Sequence, residues 1–124
     1  MTSLLTGLDH VQLPVADLAA AVAWYERVLD YRVLTDYGTS AMLRVDGGPD
    51  LMLWAAPGHE AVRLVVAGEE RPLFFLRTDQ IDLLVDRFDR EGVRVASFDD
   101  GGFARFLKFF DPDGNHLGLI QFAE

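Results

Sequence analysis

The side chains whose ordinary pKa lies nearest neutrality are His10, His59 and His116, so proton transfer and metal ligation are weighed on them first. Cysteine is absent, which excludes disulfides, thiolate metal sites and cysteine nucleophiles. Ser3, Ser40 and Ser97 are the only serines, and none lies in a G-x-S-x-G elbow. No glycine-rich phosphate loop precedes a helix, because Gly47-Gly48 runs into Pro49 and a strand. The paired carboxylates Asp99-Asp100 and Glu69-Glu70 fall in turns and read as solvated. A catalytic metal needs about three protein ligands and one open position. The best set here is His10, His116 and Gln12, which falls short in both ligand type and number. His59 reads as a surface residue between the halves. Either histidine 10 or 116 would suit a general base in an apolar pocket.

These residues must be placed by the elements around them. Residues 8–14 read as a strand ending at Pro14, and Asp17 as the N-cap of a helix. Leu18, Ala21, Val22, Tyr25, Val28 and Leu29 fall at helical spacing, with Trp24 beside that stripe. Strands at 31–37, 39–46 and 51–56 follow, separated by Gly38 and by the turn at 46–50. Placing Leu18 on Ile81 places His10 on Leu73, an offset of 63 residues in both cases, and the same order of elements recurs. The second half has a strand at 73–78, Asp79 as N-cap and a stripe of Ile81, Leu84, Val85 and Phe88 ended by Gly92. Strands at 93–98, 103–110 and 116–122 complete it. The predicted class is α+β, with two tandem β-α-β-β-β modules.

With 124 residues the chain reads as one domain, with module 1 at about 7–56, a connection at 57–71 that adds a turn or short strand near 63–67, and module 2 at about 72–124. Half the residues are hydrophobic and 25% charged, the balance of a globular protein. No apolar run approaches the roughly 18 residues that span a bilayer, and no signal peptide is evident; the expected location is the cytoplasm. A net charge of −9 argues against nucleic acid or an anionic membrane as partner.

The segment Leu8-Asp9-His10-Val11, with Asp17-Leu18 and Trp24-Tyr25-Glu26, and the turn Phe110-Asp111-Pro112-Asp113-Gly114-Asn115 before an apolar strand resemble the vicinal oxygen chelate superfamily, also called the glyoxalase/bleomycin-resistance/dioxygenase fold. The resemblance covers nearly the whole chain. It implies two modules with curved sheets around a cavity, and a dimer with module exchange as one arrangement. Enzymes of the family hold a divalent metal through His, Glu or Gln. Here His10 stands at the first ligand position, Leu73 replaces its counterpart in the second half, and Gly118 stands where the last strand would carry a carboxylate. The fourth strand offers Leu53 or Trp54, according to the register of the preceding loop. The segments Asp50-Leu51-Met52-Leu53-Trp54, Leu76-Arg77-Thr78-Asp79 and Leu119-Ile120-Gln121 are similar to the bleomycin-resistance branch, whose members are metal-free dimers that sequester a cationic drug.

Alternation along the strands then gives the expected ligand-binding residues: His10 and Gln12, Met52 and Trp54, Phe75 and Arg77, His116 and Gly118. Gly118 leaves room where a ligand approaches, and Trp54 is either a ligand anchor or core. Arg77, if turned inward, favours an anionic or carbonyl-bearing ligand; otherwise it pairs with Asp79 or Asp82. The expected function is metal-free sequestration of an organic small molecule by a homodimer, with no cofactor. The alternative is an enzyme, either with displaced metal ligands or with a histidine base.

Overall fold

A computed structural model describes residues 3–124, which fall into two compact units divided between His59 and Glu60. The first unit contains β1 (His10–Val15), α1 (Leu18–Leu29), β2 (Arg32–Asp36), β3 (Ser40–Arg44) and β4 (Asp50–Ala55). Its sheet has the order β1-β4-β3-β2, with β1 parallel to β4 and the other pairs antiparallel. One face is closed by α1. Leu13, Val15, Ala41, Leu43, Leu51 and Leu53 are buried there with Ala21, Tyr25, Val28 and Leu29 of the helix. Each fully buried leucine or valine is worth about 1.5–3 kcal/mol relative to exposure.

Asp17 caps α1 as its sequence position suggests, its Oδ1 accepting from the Ala20 N–H at 3.1 Å. Two local expectations change. Trp24 is buried inside the apolar face, because positions 21, 24, 25 and 28 form one continuous i, i+3, i+4, i+7 patch; its ring meets Tyr25 edge-on at 5.0 Å. Strand β1 continues one residue past Pro14, which an edge strand tolerates because the missing N–H interrupts no ladder.

The second unit contains the hairpin β5 (Leu64–Val66) and β6 (Glu69–Arg71), then β7 (Phe75–Arg77), α2 (Ile81–Glu91), β8 (Val95–Asp100), β9 (Ala104–Phe110) and β10 (His116–Phe122). The hairpin lies inside the expected connection. Its turn residues Ala67 (φ 52°) and Gly68 (φ 80°) both take the left-handed conformation that a two-residue hairpin loop requires. The four-stranded sheet has the order β7-β10-β9-β8, with β7 parallel to β10. Leu107, Phe109, Leu117 and Leu119 are buried on the face covered by α2, where Phe88 meets Phe109 edge-on at 4.8 Å.

Asp79 does not cap α2. The N-cap is Gln80, whose side chain makes no capping bond; the Ile81 N–H donates instead to Oε1 of Gln121 on β10, at 2.8 Å. The fold is therefore α+β with two tandem modules, each a four-stranded sheet and one helix. Among the described residues no helix is long and apolar enough to cross a membrane.

The turn before β10 is held by side chains. Asp111 Oδ1 accepts from the Asp113 and Asn115 N–H groups, and Asp111 Oδ2 accepts from Asn115 Nδ2, each at 2.9 Å. Asn115 is fully buried, and its Oδ1 accepts from the Val62 N–H at 3.3 Å. Replacing Asn115 by Ala removes its Nδ2 bond to Asp111 and its acceptance from the Val62 N–H and is expected to lower unfolding free energy by about 1–3 kcal/mol. Urea denaturation checks this; a loss below about 1 kcal/mol would show that the turn stands without the amide.

Candidate functional site

Each sheet has one face under its helix and one face that its helix leaves open, and strand parity decides which residues the open face receives. In the first unit, His10, Gln12 and Pro14 stand opposite Asp50, Met52 and Trp54, and Met42 and Ser40 stand opposite Met52 and Trp54. This register settles the position left open by the sequence. Leu53 is buried toward α1, and Trp54 is on the open face, 44% exposed. Its indole N–H donates to Gln12 Oε1 at 2.8 Å, which fixes the ring on the sheet.

The polar groups near His10 are already committed. Arg44 binds Asp50 through two parallel contacts, Nε to Oδ1 at 2.7 Å and a terminal nitrogen to Oδ2 at 2.8 Å. That guanidinium holds the Asp50 carboxyl below the ordinary carboxylate range, against the opposing effect of partial burial. Burial, with Asp50 nearby, pushes the Tyr31 phenol up to about 12, so it remains a neutral hydroxyl. His10 Nδ1 lies 2.8 Å from Asp9 Oδ2; with that nitrogen protonated, Nε2 is left as an acceptor. A cleft of about 350 Å³ between α1 and β2–β3 lies on the helix side of this sheet, lined mainly by Leu18, Val22, Val33 and Ala41.

In the second unit, Phe75 and Arg77 stand opposite Gly118 and Ile120, which stand in turn opposite Lys108 and Phe106. Phe75 is 41% exposed and meets Phe106 edge-on at 5.9 Å. The space beside Gly118 is taken by the Phe75 ring, which lies so close that a Cβ at position 118 would overlap it. Gly118 thus seats an aromatic ring. The Arg77 guanidinium lies 5.0 Å from the centre of the Phe122 ring, and Asp82 is occupied by Arg105 at 2.9 Å.

His116 is only 5% exposed, and neither ring nitrogen has a hydrogen-bond partner. It stacks on Phe110 at 4.4 Å, and Arg94 lies 4.0 Å over the Phe110 ring. Glu70 on β6 approaches its Nδ1 to 3.5 Å, too long for a hydrogen bond but close enough to pair with an imidazolium. Glu70 itself is bound to Arg63 at 2.7 Å. Burial lowers the His116 pKa below the ordinary 6.5; Glu70 opposes that shift, while Lys108 and Arg94 add to it. The Glu70–His116 approach had no signal in the sequence, since it joins the hairpin to β10 across 46 positions.

The metal implied by the family resemblance does not fit these residues. Among those described, no group of three or more His, Cys, Asp or Glu side chains is placed to hold a metal ion. Gln12 Oε1 is bonded to Trp54, Asp50 is clamped by Arg44, and the His116 nitrogens are buried. A carboxylate at position 118 would need the volume of the Phe75 ring. What both faces offer is rings, thioether carbons and a few fixed polar groups, a lining suited to an organic molecule.

Comparison with known proteins gives one family model, described as Glyoxalase/Bleomycin resistance protein/Dioxygenase superfamily, which matches residues 7–119. No curated protein sequence matches the chain significantly. Among solved structures, TnmS3, an antibiotic binding protein from Streptomyces sp. CB03234, has a TM-score of 0.78 at 23% identity, covering 98% of this chain and 100% of its own. A glyoxalase/dioxygenase from Nostoc punctiforme has a TM-score of 0.80 at 20% identity, with coverage of 100% and 99%. Lactoylglutathione lyase from Agrobacterium tumefaciens has a TM-score of 0.72 at 17% identity, with 96% of each chain covered. At these identities the likeness is one of fold.

Two outcomes are expected from this geometry. Gly118→Ala should cost about 1–3 kcal/mol, because the Phe75 ring must move, and Phe75→Leu should recover much of it. Equal effects of Gly118→Ala with and without Phe75 would contradict the seating. The second concerns pH. His116 has a folded pKa below its unfolded value, so its contribution is fully present above about pH 6.5 and declines as pH falls below that value toward the folded pKa. His116→Phe should remove this decline and, by deleting two unpaired nitrogens, stabilise the protein by about 1–2 kcal/mol at neutral pH. Thermal unfolding from pH 7.5 to 5 tests both; a destabilised variant with an unchanged pH profile would rule the reading out.

Proposed function

The chain belongs to the Glyoxalase/Bleomycin resistance protein/Dioxygenase superfamily, and within it we propose a protein that binds and sequesters an organic small molecule without a metal ion. The observation that carries this reading is Trp54, a large ring left half in solvent on an open sheet face and held in one orientation by Gln12. Orienting an exposed indole lowers the conformational entropy lost when a ligand stacks on it. On the same face of the first unit stand Met52, two residues along β4, and His10, beyond Gln12 on β1; Phe75, Arg77, His116 and Gly118 contribute to or shape the face of the second. The fold likeness to an antibiotic binding protein supports the same reading, while the likeness to a lyase leaves chemistry as the alternative. A homodimer in the cytoplasm, with no nucleic-acid or membrane partner, completes the proposal.

A second reading rests on His10. With the proton on Nδ1, which faces Asp9 at 2.8 Å, Nε2 is an acceptor, the arrangement of a metal-free general base. His10→Ala separates the two: a binder keeps most of its affinity, whereas a histidine catalyst loses nearly all turnover.

Trp54→Ala should weaken binding of a flat aromatic probe by about 2–4 kcal/mol, and Gln12→Leu by a smaller amount through loss of orientation. Isothermal titration with folded variants measures both. Unchanged affinity in Trp54→Ala would remove this residue from the site.

A further inference from the structure

The open face of the second sheet combines exposed rings with cations that have no acidic partner. Phe75 and Phe106 are joined edge-on, and Phe103, 65% exposed, meets Phe106 edge-on at 5.7 Å. Two residues along β7 from Phe75 stands Arg77, and across β10, opposite Gly118, stands Lys108. From the Phe75 ring that covers Gly118, Arg77 is thus two residues along the strand and Lys108 two strands across.

The charge setting makes this informative. With a net charge of −9, carboxylates outnumber cations, and Arg32, Arg44, Arg63, Arg71 and Arg105 each form an ion pair. Among the described residues Arg77, Arg90, Arg94 and Lys108 have none, and of these Arg77 and Lys108 are the ones in register with Phe75 and Gly118. The acids associated with this face are otherwise placed. Glu70 is bound to Arg63 and approaches His116, and Asp99 stands opposite Phe106 on β8 without pairing to either cation. Unpaired cations beside exposed rings match a ligand that supplies both a π-face and negative oxygen.

Resting on the reading of the protein as a small-molecule binder, we propose that this face takes a planar aromatic anion. Its rings lie against Phe75 and Phe106, and its carboxylate, sulfonate or phenolate oxygen is held by Arg77 and Lys108. The preference is opposite to the cationic ligand that the similarity to the bleomycin-resistance branch implies. The acidic surface as a whole does not set it; the two local cations do.

The test uses the full chain and three matched probes: anthracene-2-carboxylate, its neutral carboxamide and the cationic aminomethyl analogue, titrated calorimetrically at low and high salt. The carboxylate should bind about tenfold or more tighter than the carboxamide, and its advantage should shrink as salt rises. Arg77→Gln and Lys108→Gln should each remove most of that advantage by lowering carboxylate affinity far more than carboxamide affinity, and Phe75→Ala should weaken all three probes. Unchanged circular dichroism and melting temperature confirm that these variants fold. Equal binding of carboxylate and carboxamide, or tighter binding of the cation, would overturn the anionic preference and leave the binder reading standing. Failure of all three probes at millimolar concentration would overturn both. A further contradicting result is Arg77→Glu changing the sedimentation mass while no probe binds, which would make the face a contact between copies of this chain.

Discussion

A four-stranded sheet has two faces, and each unit of this protein supplies a single helix. The period of two along every strand divides side chains between the helix and the other face, so a shift of one residue would exchange the two sets. Everything proposed about function depends on that division. Leu51 and Leu53 are fully buried toward α1, which commits Met52 and Trp54 to the other side. Leu117 and Leu119 do the same for Gly118 in β10.

On the open faces, the groups capable of chemistry are mostly occupied by neighbours. The Gln12 carbonyl accepts from an indole, Asp50 is locked by a two-point guanidinium, and the place of a carboxylate at 118 is filled by a phenyl ring. His116 is the unusual case. A stacked, buried imidazole without hydrogen bonds costs stability that an apolar residue would not, and Glu70 stands ready to pair with it once protonated. The physical trend across these positions is from coordination towards packing and stacking. His10, whose Nδ1 lies against Asp9, is the position that departs from it.

The repeat of modules was legible because it rests on local signals: helical stripes, the Asp17 cap, the Gly92 terminus and the Asp-Pro-Asp-Gly-Asn turn. The details that escaped were long-range. Asp79 has the right residue type for a cap, but α2 takes its capping acceptor from Gln121, 40 residues further on. The face of Trp54 was ambiguous because Gly47-Gly48 allows more than one loop register, and ladder pairing with β1 and β3 decides it. Gly118 could be read as an opening; only its partner across the ladder reveals that Phe75 fills the gap. Trp24 is within reach of periodicity, because a stripe that joins positions 21 and 28 includes position 24.

The most direct measurement is native mass spectrometry of tag-free protein purified without chelators. A metal-free binder gives a protein mass with no bound divalent ion, alone or with an organic adduct that departs on activation, and Trp54→Ala lowers adduct occupancy. One divalent metal per chain that survives dialysis would contradict the account, because Gln12 and Asp50 of the first unit and the buried His116 nitrogens of the second are each already bonded or enclosed within their own unit.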